Sequence, residues 1–95
     1  MSKAIRRHYA ALSAIGCVAC RRLTGEYTPP EIHHIAQGTG LRSDWATAPL
    51  CPEHHRGSFS IHGSMETFIK VLRVPGETEW GLLVWTMEDL GKLAT

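Results

Sequence analysis

The sequence lacks several features that would place it in common protein classes. No stretch approaches the roughly 20 consecutive apolar residues of a membrane-spanning helix, and no apolar run follows the charged N-terminus, as it would in a signal peptide. The three cysteines are an odd number, which argues against a disulfide framework. We therefore expect a protein that has no membrane segment and works in the cytoplasm, where thiols stay reduced.

The chain also carries little net charge, +1 over the single domain expected for residues 1–95, which is weak for a nucleic-acid binder. The charges are nevertheless unevenly placed. Residues 1–73 hold nine Lys and Arg against five Asp and Glu, whereas residues 74–95 hold one Lys against four. Five of the six histidines lie within residues 31–62, in the basic part. Either residues 1–73 form a basic region with a function of its own, or the surface charges are unevenly distributed by chance.

Local patterns predict a mixed α+β chain. Apolar residues at helical spacing indicate a helix over 3–15, which Gly16 should end. Residues 17–30 combine two cysteines with turn-forming glycine and prolines, so we expect a loop there. Two short strands are expected over 31–36 and 45–50, the second with a proline that suits an edge position.

Three helices should follow the strands. The first opens at Pro52, and Gly57 with Ser58 should cut it short. The second starts near residue 64, and the last starts near Thr78. The side chains expected to be buried or to contact a partner are Phe68, Val71 and Leu72, then Trp80, Leu83, Val84, Trp85, Met87 and Leu90.

Two short motifs have the spacing of a structural zinc site. Cys17-x2-Cys20 and Cys51-x2-His54 each let two side chains reach one ion, and together they supply three sulfurs and one nitrogen with no cysteine left over. Three buried reduced cysteines are the simplest alternative. A thioredoxin-like redox pair is another, but it needs a strand before the motif and a helix after it, and here a helix precedes and prolines follow.

The remaining histidines predict a second metal site. His33 and His34 are adjacent on a strand and should point to opposite faces, so they should have different tasks. His54 and His55 are adjacent on a helix, about 100° apart, so they should serve two ions. His62 is the last histidine of this region.

Together these motifs resemble a known nuclease superfamily. The series Cys-x2-Cys, Glu-Ile-His-His-Ile, Ala-Pro-Leu-Cys-x2-His-His and Ser-Ile-His is similar to the HNH, or ββα-metal, nucleases. It resembles most the phage and prophage group of recombination-enhancement, RecA-dependent nucleases. The resemblance covers about residues 8–90. It implies a small zinc-stapled ββα-metal core, with an N-terminal helix and two C-terminal helices.

The resemblance also implies roles for individual residues. His34 matches the general base that activates a water, and His33 matches the metal ligand before it. His55 matches a metal ligand at the start of the helix, and His62 matches a second ligand or a phosphate contact. Asp44 stands beside the position of the superfamily's asparagine, which this chain lacks there. Asp44 could orient His34, complete the metal shell or shape a turn.

One geometric condition applies to the second metal site. His62 follows His55 by seven residues, which on a straight helix separates two atoms by about 10.5 Å, too far to share an ion. Gly57 and Ser58 must therefore break the helix if His55 and His62 are to converge.

The implied function is a metal-dependent DNA endonuclease or nickase in phage or prophage recombination. Its cofactors would be a structural Zn²⁺ and a catalytic Mg²⁺, Mn²⁺ or Zn²⁺, and its partners would be DNA and a RecA-like recombinase filament. A non-catalytic zinc module that binds DNA or protein is the main alternative, and the oligomeric state stays open. The basic side chains expected to contact DNA phosphates are Arg21, Arg22, Arg42 and Arg56, each of which could instead be an ordinary solvated charge.

Overall fold

The computed structural model describes residues 1–94 of the chain, and the side chains of residues 1–93. Within that part, five α-helices and two strands follow one another, which confirms the α+β class. Their bounds are α1 Lys3–Ile15, α2 Val18–Leu23, β1 Glu31–His34, β2 Thr47–Leu50, α3 Pro52–Arg56, α4 Met65–Leu72 and α5 Gly81–Ala94, with a 3-10 turn at Pro75–Glu77. None of the helices described has the length and apolar character needed to cross a bilayer.

The N-terminal helix matches the sequence prediction. Ser2 caps α1 by accepting the backbone N–H of Ile5 at 3.1 Å, and Gly16 ends the helix with a positive φ of 76°. The buried side of α1 carries Ile5, Leu12 and Ile15. This stripe attaches α1 to the rest of the core.

The two strands form one antiparallel sheet, in which His33 lies opposite Ala48. Each strand is two residues shorter than the sequence predicted. The first strand ends early because the carbonyl of Ala36 accepts the N–H of Thr39 at 3.1 Å, which turns the chain. The histidine pair therefore lies at the end of β1, beside this turn.

The segment predicted as a loop after Gly16 contains a helix, α2. Cys17 is its N-cap, and the Cys17 sulfur accepts the N–H of Cys20 at 3.4 Å. Arg22 joins α2 to α5 through an ion pair with Asp89 at 2.6 Å and a cation–π contact 4.8 Å from the Trp85 ring centre. A six-residue helix is too short to give a clear periodic pattern, and tertiary contacts of this kind decide whether it forms.

The buried faces of α4 and α5 differ from the predicted ones. Val71 is 63% exposed and Ile69 is buried in its place, while Val84 and Met87 are 48% and 58% exposed. The fully or nearly buried side chains of α5 are Leu82, Trp85, Thr86 and Asp89. The expected burial of Trp85 is therefore confirmed, and that of Val71 is wrong. Val84 and Met87 are not buried, and contact of their side chains with a partner stays a prediction. The first turns of α5 carry apolar residues on every side, so hydrophobicity alone does not determine which face is buried. The ion pair of Asp89 with Arg22 helps to determine the inward face.

One hydrophobic core holds the sheet in place. Helix α5 contacts α1, α2 and β2, and the short helix α3 contacts both strands. The largest buried side chains come from almost every element and include Leu12, Ile15, Val18, Ile35, Leu50, Ile61, Phe68 and Leu82. This packing fixes β1 between α1 and α3, where the histidines lie.

Candidate functional site

The three cysteines and His54 converge on one point. The Nδ1 atom of His54 lies 3.7 Å from the sulfur of Cys17, 3.5 Å from that of Cys20 and 3.3 Å from that of Cys51. The sulfurs of Cys20 and Cys51 are 3.8 Å apart. A tetrahedral zinc ion, with bonds of about 2.3 Å to sulfur and 2.0 Å to nitrogen, holds its ligands about 3.5 to 3.8 Å apart. The donor set and its spacing therefore fit zinc, and this Cys3His cluster could hold the ion.

The surroundings of this cluster suit a structural role. All three cysteines are free thiols, and Cys17 and Cys51 are buried. Burial raises the pKa of Cys17 to about 12, so this thiol stays protonated at neutral pH unless a cation compensates the thiolate charge. A helix does follow Cys17, contrary to one argument made from sequence against a redox pair, but the helix α1 rather than a strand still precedes it.

A second cluster is formed by His33, His55 and His62. One ring nitrogen from each lies within 4.8 Å of the other two, and the ring centres are 4.8 to 5.2 Å apart. The cluster opens into a cleft of about 360 Å³, which is also lined by His34 and Arg42. Three convergent imidazoles beside an open cleft could hold a metal ion with positions left free for another ligand.

His62 reaches this cluster because α3 ends at Arg56 and the chain folds back. The N–H of His62 donates to the carbonyl of His55 at 3.1 Å, which places the two residues side by side. Ser60 secures the reversal: its hydroxyl donates to the carbonyl of Gly57, and it accepts the N–H of Gly63, both at 2.7 Å. The expected break at Gly57 is therefore confirmed.

Two carboxylates orient two of these imidazoles. Glu79 contacts Nε2 of His33 at 2.8 Å, and Glu31 contacts Nδ1 of His55 at 2.9 Å. A carboxylate accepts the N–H of the nitrogen that it contacts, so the other nitrogen keeps its lone pair. The lone pairs available to an ion are thus on Nδ1 of His33 and Nε2 of His55.

The ionisation of these carboxylates follows from their partners. Burial opposes ionisation of Glu79, but hydrogen bonds from His33 and from the N–H groups of Ala36 and Gln37 outweigh it and lower its pKa. Hydrogen bonds from Arg56 and then from His55 lower the pKa of Glu31 to about 2. Both groups therefore carry negative charge at neutral pH.

His34 faces a different group of side chains from its neighbour. Its Nε2 lies 2.9 Å from Oδ1 of Asp44, and the Tyr9 hydroxyl donates to the same carboxylate oxygen at 3.0 Å. Arg42 approaches the other ring nitrogen, Nδ1, at 3.3 Å. Hydrogen bonds from His34 and then Tyr9 lower the pKa of Asp44, so it is ionised and accepts from both. Of the three roles considered for Asp44, this contact supports the orienting one.

A comparison with protein families bears on what this site does. A family model described as recombination enhancement, RecA-dependent nuclease matches residues 2–92. The chain belongs to this family. Comparisons with curated proteins and with solved structures found no match. The family name points to a nuclease and hence to an enzyme, and the match confirms the resemblance of the motifs to recombination-enhancement, RecA-dependent nucleases.

In this RecA-dependent nuclease family member, one of the four arginines expected at DNA phosphates lines the cleft, namely Arg42. Arg56 is paired with Glu31 through contacts of 2.8 and 3.0 Å, and Arg22 is paired with α5. Arg21 donates its Nε–H to the carbonyl of Ile15. Arg42 therefore lies beside the histidines, whereas Arg22 and Arg56 form ion pairs within the protein.

Sequence reasoning missed three residues of the site: Tyr9, Glu31 and Glu79. Tyr9 has the helical spacing of the apolar residues of α1, and nothing in that spacing indicates a role for its hydroxyl. Glu31 lies two residues before His33 within the Glu-Ile-His-His-Ile motif, and this position is the signal that could have indicated it. Glu79 lies 46 residues from His33 in an acidic segment, and nothing local to its sequence indicates a histidine partner.

Proposed function

We propose that this family member is a metal-dependent DNA endonuclease or nickase of the HNH, or ββα-metal, type. The order β1, β2, α3 agrees with a ββα core, and the histidines lie where strand and helix meet. One observation carries the proposal: three imidazoles that can bind an ion share a cleft with an oriented fourth histidine and an arginine. That combination supplies a metal site, a base and a phosphate contact within one small volume.

Under this proposal the Cys3His cluster binds structural zinc, and His33, His55 and His62 bind the catalytic ion. Because its donors are imidazoles, this second site would bind Zn²⁺ more tightly than Mn²⁺ or Mg²⁺. When bound, a divalent ion would offset the charge of the scissile phosphate and stabilise the leaving oxygen. The residues around it would position the phosphate and move the proton.

His34 is the proposed general base. Asp44 accepts the Nε2–H of His34, which leaves the lone pair on Nδ1, and Tyr9 holds the carboxylate in place. A water in the cleft would give its proton to Nδ1 as its oxygen attacks phosphorus. The bond from phosphorus to the 3′-oxygen then breaks, and the leaving oxygen takes a proton from solvent water, which gives a 5′-phosphate and a 3′-hydroxyl. Arg42, beside Nδ1, would contact a non-bridging phosphate oxygen.

We propose that the biological substrate is DNA undergoing recombination, and that cutting depends on a RecA-like filament. Support comes from the family's name, which joins nuclease activity to recombination enhancement and to RecA. A phage or prophage origin in a bacterial cytoplasm belongs to the same proposal.

The test is the rate of plasmid nicking with Zn²⁺, Mn²⁺ or Mg²⁺, with and without a recombinase filament. Replacing a general base typically costs about 10²- to 10⁴-fold in rate, so His34→Ala should nick at least about 100-fold more slowly. His8→Ala is the matched control, because His8 contacts Thr47 and the Trp45 ring outside the cleft lining. Equal rates for His34→Ala and the parent protein would refute the assignment of the base.

Metal analysis separates the nuclease from a non-catalytic zinc module. The proposed enzyme binds zinc at the Cys3His cluster and a second divalent ion at the three histidines. A protein that holds one zinc, binds no second ion and cuts no DNA under any of these conditions would be the zinc module instead.

A further inference from the structure

The exposed face of α1 carries a cluster of positive charge. Lys3, Arg6 and Arg7 all lie on the solvent side of the helix, opposite the buried stripe. The remaining exposed residues of this face are small, namely Ala10, Ser13 and Ala14. We call Lys3, Arg6 and Arg7 the α1 basic face. It contains no acidic residue, since α1 has none.

These three cations have no carboxylate partner among the side chains that the structure describes, whereas Arg56 and Lys70 are each paired with one and Arg22 with two. The arrangement is unfavourable for α1 in isolation. Like charges three and four residues apart repel each other, and cations near a helix N-terminus oppose the helix dipole. An anionic ligand would relieve both effects.

One residue of the α1 basic face, Arg6, adjoins the side chains that hold His34. Arg6 precedes Tyr9 by one helical turn, so their side chains are neighbours on the helix surface. Tyr9 in turn donates to Asp44 and lies 3.4 Å from Nε2 of His34. A polyanion bound along α1 would therefore pass the proposed base.

We infer that the α1 basic face binds the phosphodiester backbone of double-stranded DNA next to the scissile phosphate in the cleft. The inference rests on the proposed function, since it assumes that the cleft acts on DNA. It assigns DNA binding to Lys3, Arg6 and Arg7, none of which is among the four arginines expected from the sequence to contact phosphates. Contacts of this kind position the duplex without reading its sequence.

Fluorescence anisotropy with a labelled DNA duplex tests the inference without any cutting. The background is the zinc-loaded His34→Ala protein, and affinity is measured over a series of salt concentrations. Each lost phosphate contact lowers the slope of log affinity against log salt by about 1, so Arg6→Gln should lower it by about 1 and the triple Gln variant by about 3. Arg73→Gln is the matched control, because Arg73 is exposed, lacks a described carboxylate partner and lies outside α1 and the cleft.

The outcomes are distinguishable. If the His34→Ala background and the parent protein both bind the duplex and the triple variant keeps their slope, the inference is overturned and the nuclease proposal survives. If the parent protein binds no DNA, both are overturned. If the triple variant binds DNA normally but loses binding to a DNA-free recombinase, the α1 basic face contacts protein and the inference is again overturned. Far-ultraviolet circular dichroism verifies that each variant keeps its helices.

Discussion

An oxygen of Glu79 lies 2.8 Å from Nε2 of His33, and both side chains are almost completely buried. The other carboxylate oxygen of Glu79 accepts the backbone N–H groups of Ala36 and Gln37 at 2.9 and 3.0 Å. The side chain of Gln37 accepts the N–H of Glu79 at 2.6 Å. A carboxylate held from several directions in this way leaves the His33 ring one orientation, with Nδ1 facing the cluster.

Replacing Glu79 should weaken the second metal site. Glu79→Ala removes the group that orients His33, and losing such a partner typically costs about 10- to 100-fold in metal affinity. Glu79→Gln should lose less, since its amide oxygen can still accept one of these hydrogen bonds. Isothermal titration of zinc-preloaded protein with a second portion of Zn²⁺ measures the affinity. Equal affinities for Glu79→Ala and the parent protein would show that His33 needs no such support.

The same substitution should lower the free energy of unfolding. Glu79→Ala leaves buried donors without an acceptor, at a cost of about 1 to 3 kcal/mol for each such group. Urea denaturation of the zinc-loaded protein measures this. Glu66→Ala serves as the control, because Glu66 lies in an exposed pair with Lys70 and should change stability little.

Removing zinc from the Cys3His cluster should destabilise the whole fold. The cluster ties α2 to the start of α3, and structural zinc binding in small domains is worth about 10 kcal/mol or more of apparent free energy at neutral pH. Chelation should therefore lower the melting temperature sharply and make all three thiols reactive, and added Zn²⁺ should reverse both changes. Thiols that react freely in native, metal-loaded protein would instead favour the redox alternative.

Asp44 should matter for rate more than for folding. Asp44→Ala removes the acceptor for His34 Nε2–H, and we expect nicking to slow by about 10-fold or more, as for other groups that orient a base. Asp44→Asn should keep more activity, because its amide oxygen can accept the same hydrogen bond. Single-turnover nicking rates measure this, with Tyr9→Phe as a milder variant that leaves Asp44 in place. Nicking by Asp44→Ala at the parent rate would limit Asp44 to shaping the turn.

The chain reversal that brings His62 to the cluster should depend on Gly63. A Cβ atom at this position would lie 2.5 Å from the carbonyl oxygen of Gly57, so Gly63→Ala must shift the loop. We expect weaker binding of the second ion and an intact Cys3His zinc. Gly91→Ala is the matched control, since an added Cβ there meets nothing within 4 Å in α5. Equal affinities of Gly63→Ala and Gly91→Ala for the second ion would show that the loop can accommodate the added Cβ atom.

The grouping of the candidate metal ligands could largely be predicted from spacing. The x2 separation within each Cys/His motif, and the 100° rotation between neighbouring helical residues, were enough to assign His54 and His55 to different clusters. These rules depend only on residues a few positions apart, and His54 and His55 follow them within α3, which ends before Gly57. The role of His34 as a base stays a prediction, although its contact with Asp44 supports it.

Sequence alone determined which residues could bind metal and where most of the helices and both strands lie, α2 excepted, because both depend on groups a few positions apart. Only the tertiary structure decided which face of α5 is buried, that Arg22 and Arg56 are used within the fold, and that Glu79 supports His33. Those outcomes rest on contacts between residues 25 to 67 positions apart, and periodicity carries no information about such distant pairs.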